Sequence, residues 1–313
     1  MEPARTKPLV EGALLAALVA LLGLLSFYIG IGWLQPIPVL LASVRNGTRN
    51  AVLVTVVGVG LMGLWIGPLP ALAALAFIAA LGLVPGWALR RAATAGGTIA
   101  AMTLALLVSG FIGAMAALLV WHTNLWMETW AAFTTFLKAH AAQVRQLAGM
   151  SPQEVASLLL QAAPVLAASV AALQAGGVYF LSAAVLGRLG HPLPRLSPFA
   201  TWRGPRWLVW LYLCALAGLL LAGGDKVTGT LALNLSMALG LVYTVMGGAA
   251  AYGWLRSRGV RRDTAAVAVV GGVGLLDALG LGVAPTALGV LASFRVPARP
   301  PTSGSGDDEE ESG

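Results

Sequence analysis

The chain has 313 residues, of which 58% are hydrophobic and 10% charged, and its mean hydropathy is +0.84. Apolar runs long enough to cross a ~30 Å hydrocarbon core recur from Gly12 to Phe294. They exclude an ordinary soluble domain and predict an all-α, polytopic transmembrane bundle of about eight spans, within a range of roughly seven to ten. The net charge of +7 does not point to nucleic acid: the basic residues fall in small clusters between apolar runs, at Arg45 and Arg49, Arg90 and Arg91, Arg188 to Arg206, and Arg256 to Arg262. The positive-inside bias produces that distribution, and a basic face for anionic headgroups is its by-product.

These clusters set a topology that begins with a cytoplasmic N-terminus (1–8) carrying Arg5 and Lys7. The first apolar run is too long for a cleaved leader and reads as a span from Glu11 to Trp33. A short segment from Pro38 to Val44 returns to the basic turn "VRNGTRN". Further spans run from Ala51 to Ile66, from Ala71 to Leu89 after a turn at Gly67-Pro68, and from Gly97 to Val120.

Residues Trp121 to Gln153 form the longest polar interruption, placed outside. Trp126, Trp130, Phe133, Leu137 and Val144 recur with the period of one helical face, which predicts an amphipathic outer helix near 124–149. "SPQE" predicts a helix start with Ser151 as N-cap and Glu154 closing a capping box. That helix leads into a span ending near Leu186, completing a bundle over 9–187.

The loop over 188–207 is read as cytoplasmic and basic, and most of the stretch "LSPFATWRGPRWLVW" (Leu196 to Trp210), which concentrates tryptophan, arginine and proline, lies within it. Trp202 and Trp207 at headgroup depth, with Arg203 and Arg206 on the cytoplasmic side, read as a membrane-interface anchor. The C-terminal helices (208–295) comprise spans from Leu208 to Leu221 and from Thr228 to Leu255. Thr264 to Phe294 is broken by glycines, and reads as one kinked span or as two short helices in a hairpin. The tail (296–313) is acidic and of low complexity, with the composition of a disordered segment.

Few groups carry chemistry. Asp277 and Glu11 are the ionisable candidates within apolar runs. His122, His140 and His191 lack metal-ligand spacing, and no HExxH, GxSxG or phosphate-loop pattern occurs, so no catalytic residue, metal or cofactor is expected and the chain does not read as an enzyme. The single cysteine, Cys214, excludes an internal disulfide. Gln35, Trp121, His122 and Asn124 at the outer rim, with Asn234 and Asp277 in later spans, are the candidate small-molecule-binding residues; aromatic belts would place several of the same side chains there without a ligand. Gly12, Ala16 and Ala20 form a small-residue ridge suited to a partner helix or to packing within the chain.

"EGALLAALVALLGLLSFY" followed by "PIPVLLASVRNGTRNAVLVTVVG" resembles the opening of the substrate-binding (S) components of energy-coupling factor transporters. With "LVPGWALRR", "LSPFATWRGPRWLVW" and "NLSMALGLVYTVMGGAAAYGWLRSRG", the whole chain resembles the YybS-like family of bacterial membrane proteins. The resemblance implies a subunit for small-molecule binding or uptake in the bacterial cytoplasmic membrane. Such a subunit has no ATPase of its own and depends on a membrane coupling subunit that meets the Gly12 ridge. The alternative is a non-transporting scaffold that docks cytoplasmic partners through its basic loops.

Overall fold

The computed structural model describes residues 3–29, 32–222, 225–278, 281 and 283–294, with the backbone alone at 3–8, 27, 121, 277 and 278. The fold is all-α, with no strand among the described residues. It divides into two compact units, Met1–Leu196 and Ser197–Gly313, the boundary falling inside the loop expected at 188–207. Among the described residues, six helical stretches are long and apolar enough to cross a membrane: Leu9–Ser26, Thr48–Ile66, Pro68–Arg90, Ala95–Val120, Ala163–Arg188 and Lys226–Ser257. Arg206–Leu221 and Val283–Phe294 are apolar but shorter.

In the first unit, α1 (Pro3–Ile29) starts earlier and stops sooner than the span expected from Glu11 to Trp33. Gly32–Leu34 make a single tight turn before α2 (Pro36–Asn46), which opens with prolines in its first turn, where no intrahelical N–H is needed. α3 (Thr48–Ile66) then runs parallel to α1. The register is read from the glycines: Gly12 lies against Asn50, Gly58 against Ala16 and Val19, and Gly23 against Met62. At Gly58 a Cβ would stand 2.9 Å from the Ala16 carbonyl oxygen, so only glycine permits this approach.

Two parallel helices need a return between them, and α2 supplies it. Its eleven residues are roughly 16 Å long, about half a bilayer core, and seven of them are buried. Val39 and Ala42 pack with Leu15, Val19 and Val54 on one side. Ile37 and Leu40 pack with Leu81, Met102 and Val178 on the other. α2 is therefore a core helix shared by two apolar clusters.

Gly67, with φ 88°, turns the chain from α3 into α4 (Pro68–Ile78), which continues through one wide turn at Ala79–Leu83 into α5 (Val84–Arg90). Pro85 accounts for that turn: it has no N–H to offer the Leu81 carbonyl, and its ring would crowd that carbonyl in a regular helix. α6 (Ala95–Trp121) is capped by Thr94, whose hydroxyl accepts the Gly97 N–H at 3.1 Å.

The amphipathic segment expected near 124–149 is two helices rather than one, α7 (Leu125–Ala139) and α8 (Ala141–Ala148). The break falls at His140, whose backbone N–H donates back to the Phe136 carbonyl. Ser151 and Glu154 form the capping box of α9 (Pro152–Gln161). α9 does not run on into the next span; Pro164 interrupts the ladder at Ala162, and α10 (Ala163–Arg188) starts afresh.

In the second unit, α11 (Arg206–Leu221) precedes α12 (Lys226–Ser257). The region from Thr264 to Phe294 is two helices, α13 (Arg262–Ala278) and α14 (Val283–Phe294). α14 crosses α12 where Gly247 faces the Pro285 carbonyl and Gly289 faces the Tyr243 carbonyl, with the Thr244 and Thr286 hydroxyls 2.8 Å apart beside the crossing. The acidic tail lies outside the described residues.

Candidate functional site

The first unit contains a cleft of about 290 Å³ where the second half of α1 meets the 32–35 turn, the end of α3 and the start of α4. Gln35 is the polar centre of its lining and is only 5% exposed. Its amide Nε2 donates to Met62 Sδ at 3.6 Å, and a thioether is a weak acceptor. A buried amide held by so poor a partner is under-satisfied, a condition that costs free energy unless another group completes it.

Two glycines keep the cleft open to its polar groups. A Cβ at Gly23 would run into Met62 Sδ and come within 2.6 Å of the Gln35 amide nitrogen. One at Gly32 would stand 2.7 Å from the Ser26 hydroxyl. Ile66 and Phe77 supply apolar wall, and none of the described lining residues is ionisable. The cleft can therefore donate and accept hydrogen bonds, but it offers no charge to balance a charged ligand.

The other sequence-derived candidates lie elsewhere. Asn124 caps α7, its side-chain oxygen accepting the Met127 N–H at 3.1 Å. His122 ends α6 in the left-handed conformation (φ 53°) and is exposed. The side chains of Trp121 and Asp277 lie outside the described residues. Asn234 belongs to the second unit, where its amide donates to the Thr230 carbonyl at 2.9 Å. Among the described side chains of this set, Gln35 alone lines the cleft. Gly12, Ala16 and Ala20 are buried, with Ala16 (2% exposed) packed beside Gly58 of α3, so the ridge serves packing within the chain.

The anchor residues divide. Trp202 is half-buried and donates its indole N–H to the Ser197 carbonyl at 3.0 Å, while Trp207 is exposed, as are Arg203 and Arg206. Phe199 stacks edgewise on Trp202 and Tyr252, so the start of this stretch is folded onto α12. No three His, Cys, Asp or Glu side chains come together among the described residues.

Residues 13–289 match the model of a family described as predicted membrane protein (DUF2232). The chain belongs to that family. No curated protein and no solved structure matches it. For this DUF2232 chain the cleft is thus read from its own residues. Ser26, Met62 and Phe77 were not singled out in the sequence. Ser26 had a readable signal, a lone hydroxyl at the glycine-rich end of an apolar helix; Met62 and Phe77 had none.

Proposed function

We propose that this DUF2232 protein is a small-molecule-binding membrane subunit of the S-component type, working in uptake with a separate membrane coupling subunit and its ATPases. The observation that carries the reading is Gln35: a buried amide with a weak thioether partner, facing a cleft that two glycines hold open. Its setting supports the same reading. Arg45, at the end of α2, and Arg90, at the end of α5, lie at the opposite end of the bundle from the cleft. With that basic end cytoplasmic, as the positive-inside bias favours, the N-terminus is inside and the cleft opens outward in a bacterial inner membrane. Binding, rather than catalysis, is what a lining without ionisable groups suits.

Native mass spectrometry of the protein extracted gently from its own membrane tests this. The expected result is a reproducible small-molecule adduct that disappears in Gln35→Leu while the fold is retained. Recovery of lipid and protein partners alone would overturn the reading in favour of a scaffold that docks through its basic loops.

A further inference from the structure

We propose that the ligand of the Gln35 cleft is an uncharged amphiphile, with a hydrogen-bonding head at Gln35 and Ser26 and an apolar tail in a groove between α4 and α6. The proposal rests on the binding reading above and adds the chemical class of the ligand. It is carried by how two cavities share one wall. Pro70, Ala73 and Phe77, spaced as one face of α4, line the cleft and also line a second cavity of about 400 Å³ on the α6 side. A ligand that crosses the exposed rim at Pro70 and Ala73 passes from one cavity to the other with Phe77 beneath it.

The two cavities differ in chemistry as the two ends of an amphiphile do. The α4–α6 groove is carved by Gly110, Gly113 and Ala114, and closed by Leu106 and by Leu125 at the start of α7. A Cβ at Gly110 or Gly113 would meet nothing within 4 Å, so these glycines leave open space rather than a helix contact. Its one hydroxyl, on Ser109, already donates to the Leu106 carbonyl at 3.1 Å and needs no ligand. The cleft holds the opposite arrangement, with Gln35 buried and poorly partnered. A charged head would be desolvated there without a counter-charge, which disfavours a phosphate or a quaternary amine. A wholly polar metabolite would leave the groove unused.

Photo-crosslinking of the full chain in phosphatidylcholine vesicles tests the proposal, using two monoacylglycerol probes with a diazirine either at the tail end or next to the glycerol. The tail label is expected on the groove residues of α6, the head label on the segments around Ser26, Gln35 and Met62. Gly113→Leu should abolish the tail labelling and weaken the head labelling. Gly60→Leu, at an exposed site on α3 with equally open space, should leave both unchanged and controls for folding. Tail label spread equally over the outward-facing Val108, Phe111 and Ile112, and insensitive to Gly113→Leu, would mean ordinary bilayer lipid and would overturn the proposal. The two readings fail separately. A water-soluble adduct lost in Gln35→Leu but kept in Gly113→Leu removes the amphiphile and leaves a binding subunit; the absence of any Gln35-dependent species removes both.

Discussion

Glu11 and Arg45 form an ion pair, with Oε1 and Nη1 2.8 Å apart, that ties the start of α1 to the last turn of α2. Arg45 also sits where a cation meets the negative end of the α2 dipole. Glu11 stood out in the sequence as an acid at the edge of an apolar run, and this partner accounts for it structurally. The Arg45 side chain is 44% exposed, so its guanidinium is open to screening although Glu11 Oε1 itself is buried, and the contribution of the pair is modest. Glu11→Gln is expected to cost about 1 kcal/mol or less. A double-mutant cycle with Arg45→Met, read as thermal midpoints in detergent, should show a coupling that shrinks in high salt. A coupling unchanged by salt would mean the pair is effectively buried.

Arg90 acts beside it and should matter more. Its guanidinium donates to the Ser43 carbonyl at 2.7 Å and to the Thr48 hydroxyl, bridging the end of α5 to the α2–α3 turn. The Ser43 carbonyl is one of the orphan acceptors at a helix C-terminus. Arg90→Met should destabilise by roughly 1.5–3 kcal/mol, the range for hydrogen bonds to charged groups. Arg90→Lys should recover only part, because an ammonium cannot hold both acceptors in the planar geometry of the fork. Equal midpoints for the two variants would show that charge alone matters at this position.

These contacts mark where the sequence could and could not be read. The long spans were legible because run length and hydropathy decide them, and the Ser151–Glu154 capping box because its spacing is local. The turn at Gly67-Pro68 was legible for the same reason, since both residues announce the conformation they adopt. α2 was legible only as a short return. Its burial between two clusters depends on Val178 and Leu15, residues far along the chain in both directions. Gln35 could be named as polar and near a rim, but its partner Met62 lies 27 positions away and carries no pattern of its own. The glycines of α12 and α14 were visible, whereas the pairing of Gly247 with Gly289 needed the crossing itself.

That crossing supports a sharp contrast. Gly289→Ala would drive a Cβ into the Tyr243 carbonyl, and backbone cannot yield as a flexible side chain does. It should separate α14 from α12 and lower the thermal midpoint of the second unit markedly. Gly271→Ala in α13 meets open space within a helix and should instead stabilise by about 0.5–1 kcal/mol through propensity alone. Similar effects of the two substitutions on proteolytic resistance would contradict the packing described here.

The α9 start is expected to respond to pH. The Ser151 backbone N–H donates to Glu154 Oε2 at 2.7 Å and, together with the Ser151 hydroxyl, holds the Glu154 carboxyl below its ordinary value. A group whose folded value is depressed contributes stability above the ordinary carboxylate range and loses it as pH falls through the depressed value. Asp225 at the start of α12 follows the same sign, with the Thr228 hydroxyl the largest cause and the Thr228 and Val227 N–H groups adding to it. Amide exchange in the first turn of α9 should therefore accelerate on acidification, and Glu154→Gln should flatten the dependence. Exchange there that is indifferent to pH, after correction for the intrinsic rate, would remove the capping box as a determinant of the helix start.

The direction in which the cleft opens is testable at the two ends of α3. Arg49, in the first turn of this 19-residue helix, and Pro68, just past its end, lie roughly 28 Å apart, with the Glu11–Arg45 pair near the first and the Gln35 cleft near the second. Cys214 is the chain's one cysteine, so Cys214→Ala gives a background on which a new thiol reports only its own position. Arg49→Cys and Pro68→Cys both replace exposed residues. A membrane-impermeant maleimide added to intact spheroplasts should label the thiol at 68 at once and the thiol at 49 only after lysis, since arginine clusters are retained inside. The reverse pattern would put the cleft on the cytoplasmic side. Its ligand would then have to come from the cell or from the inner leaflet, and an uptake role would no longer fit the geometry.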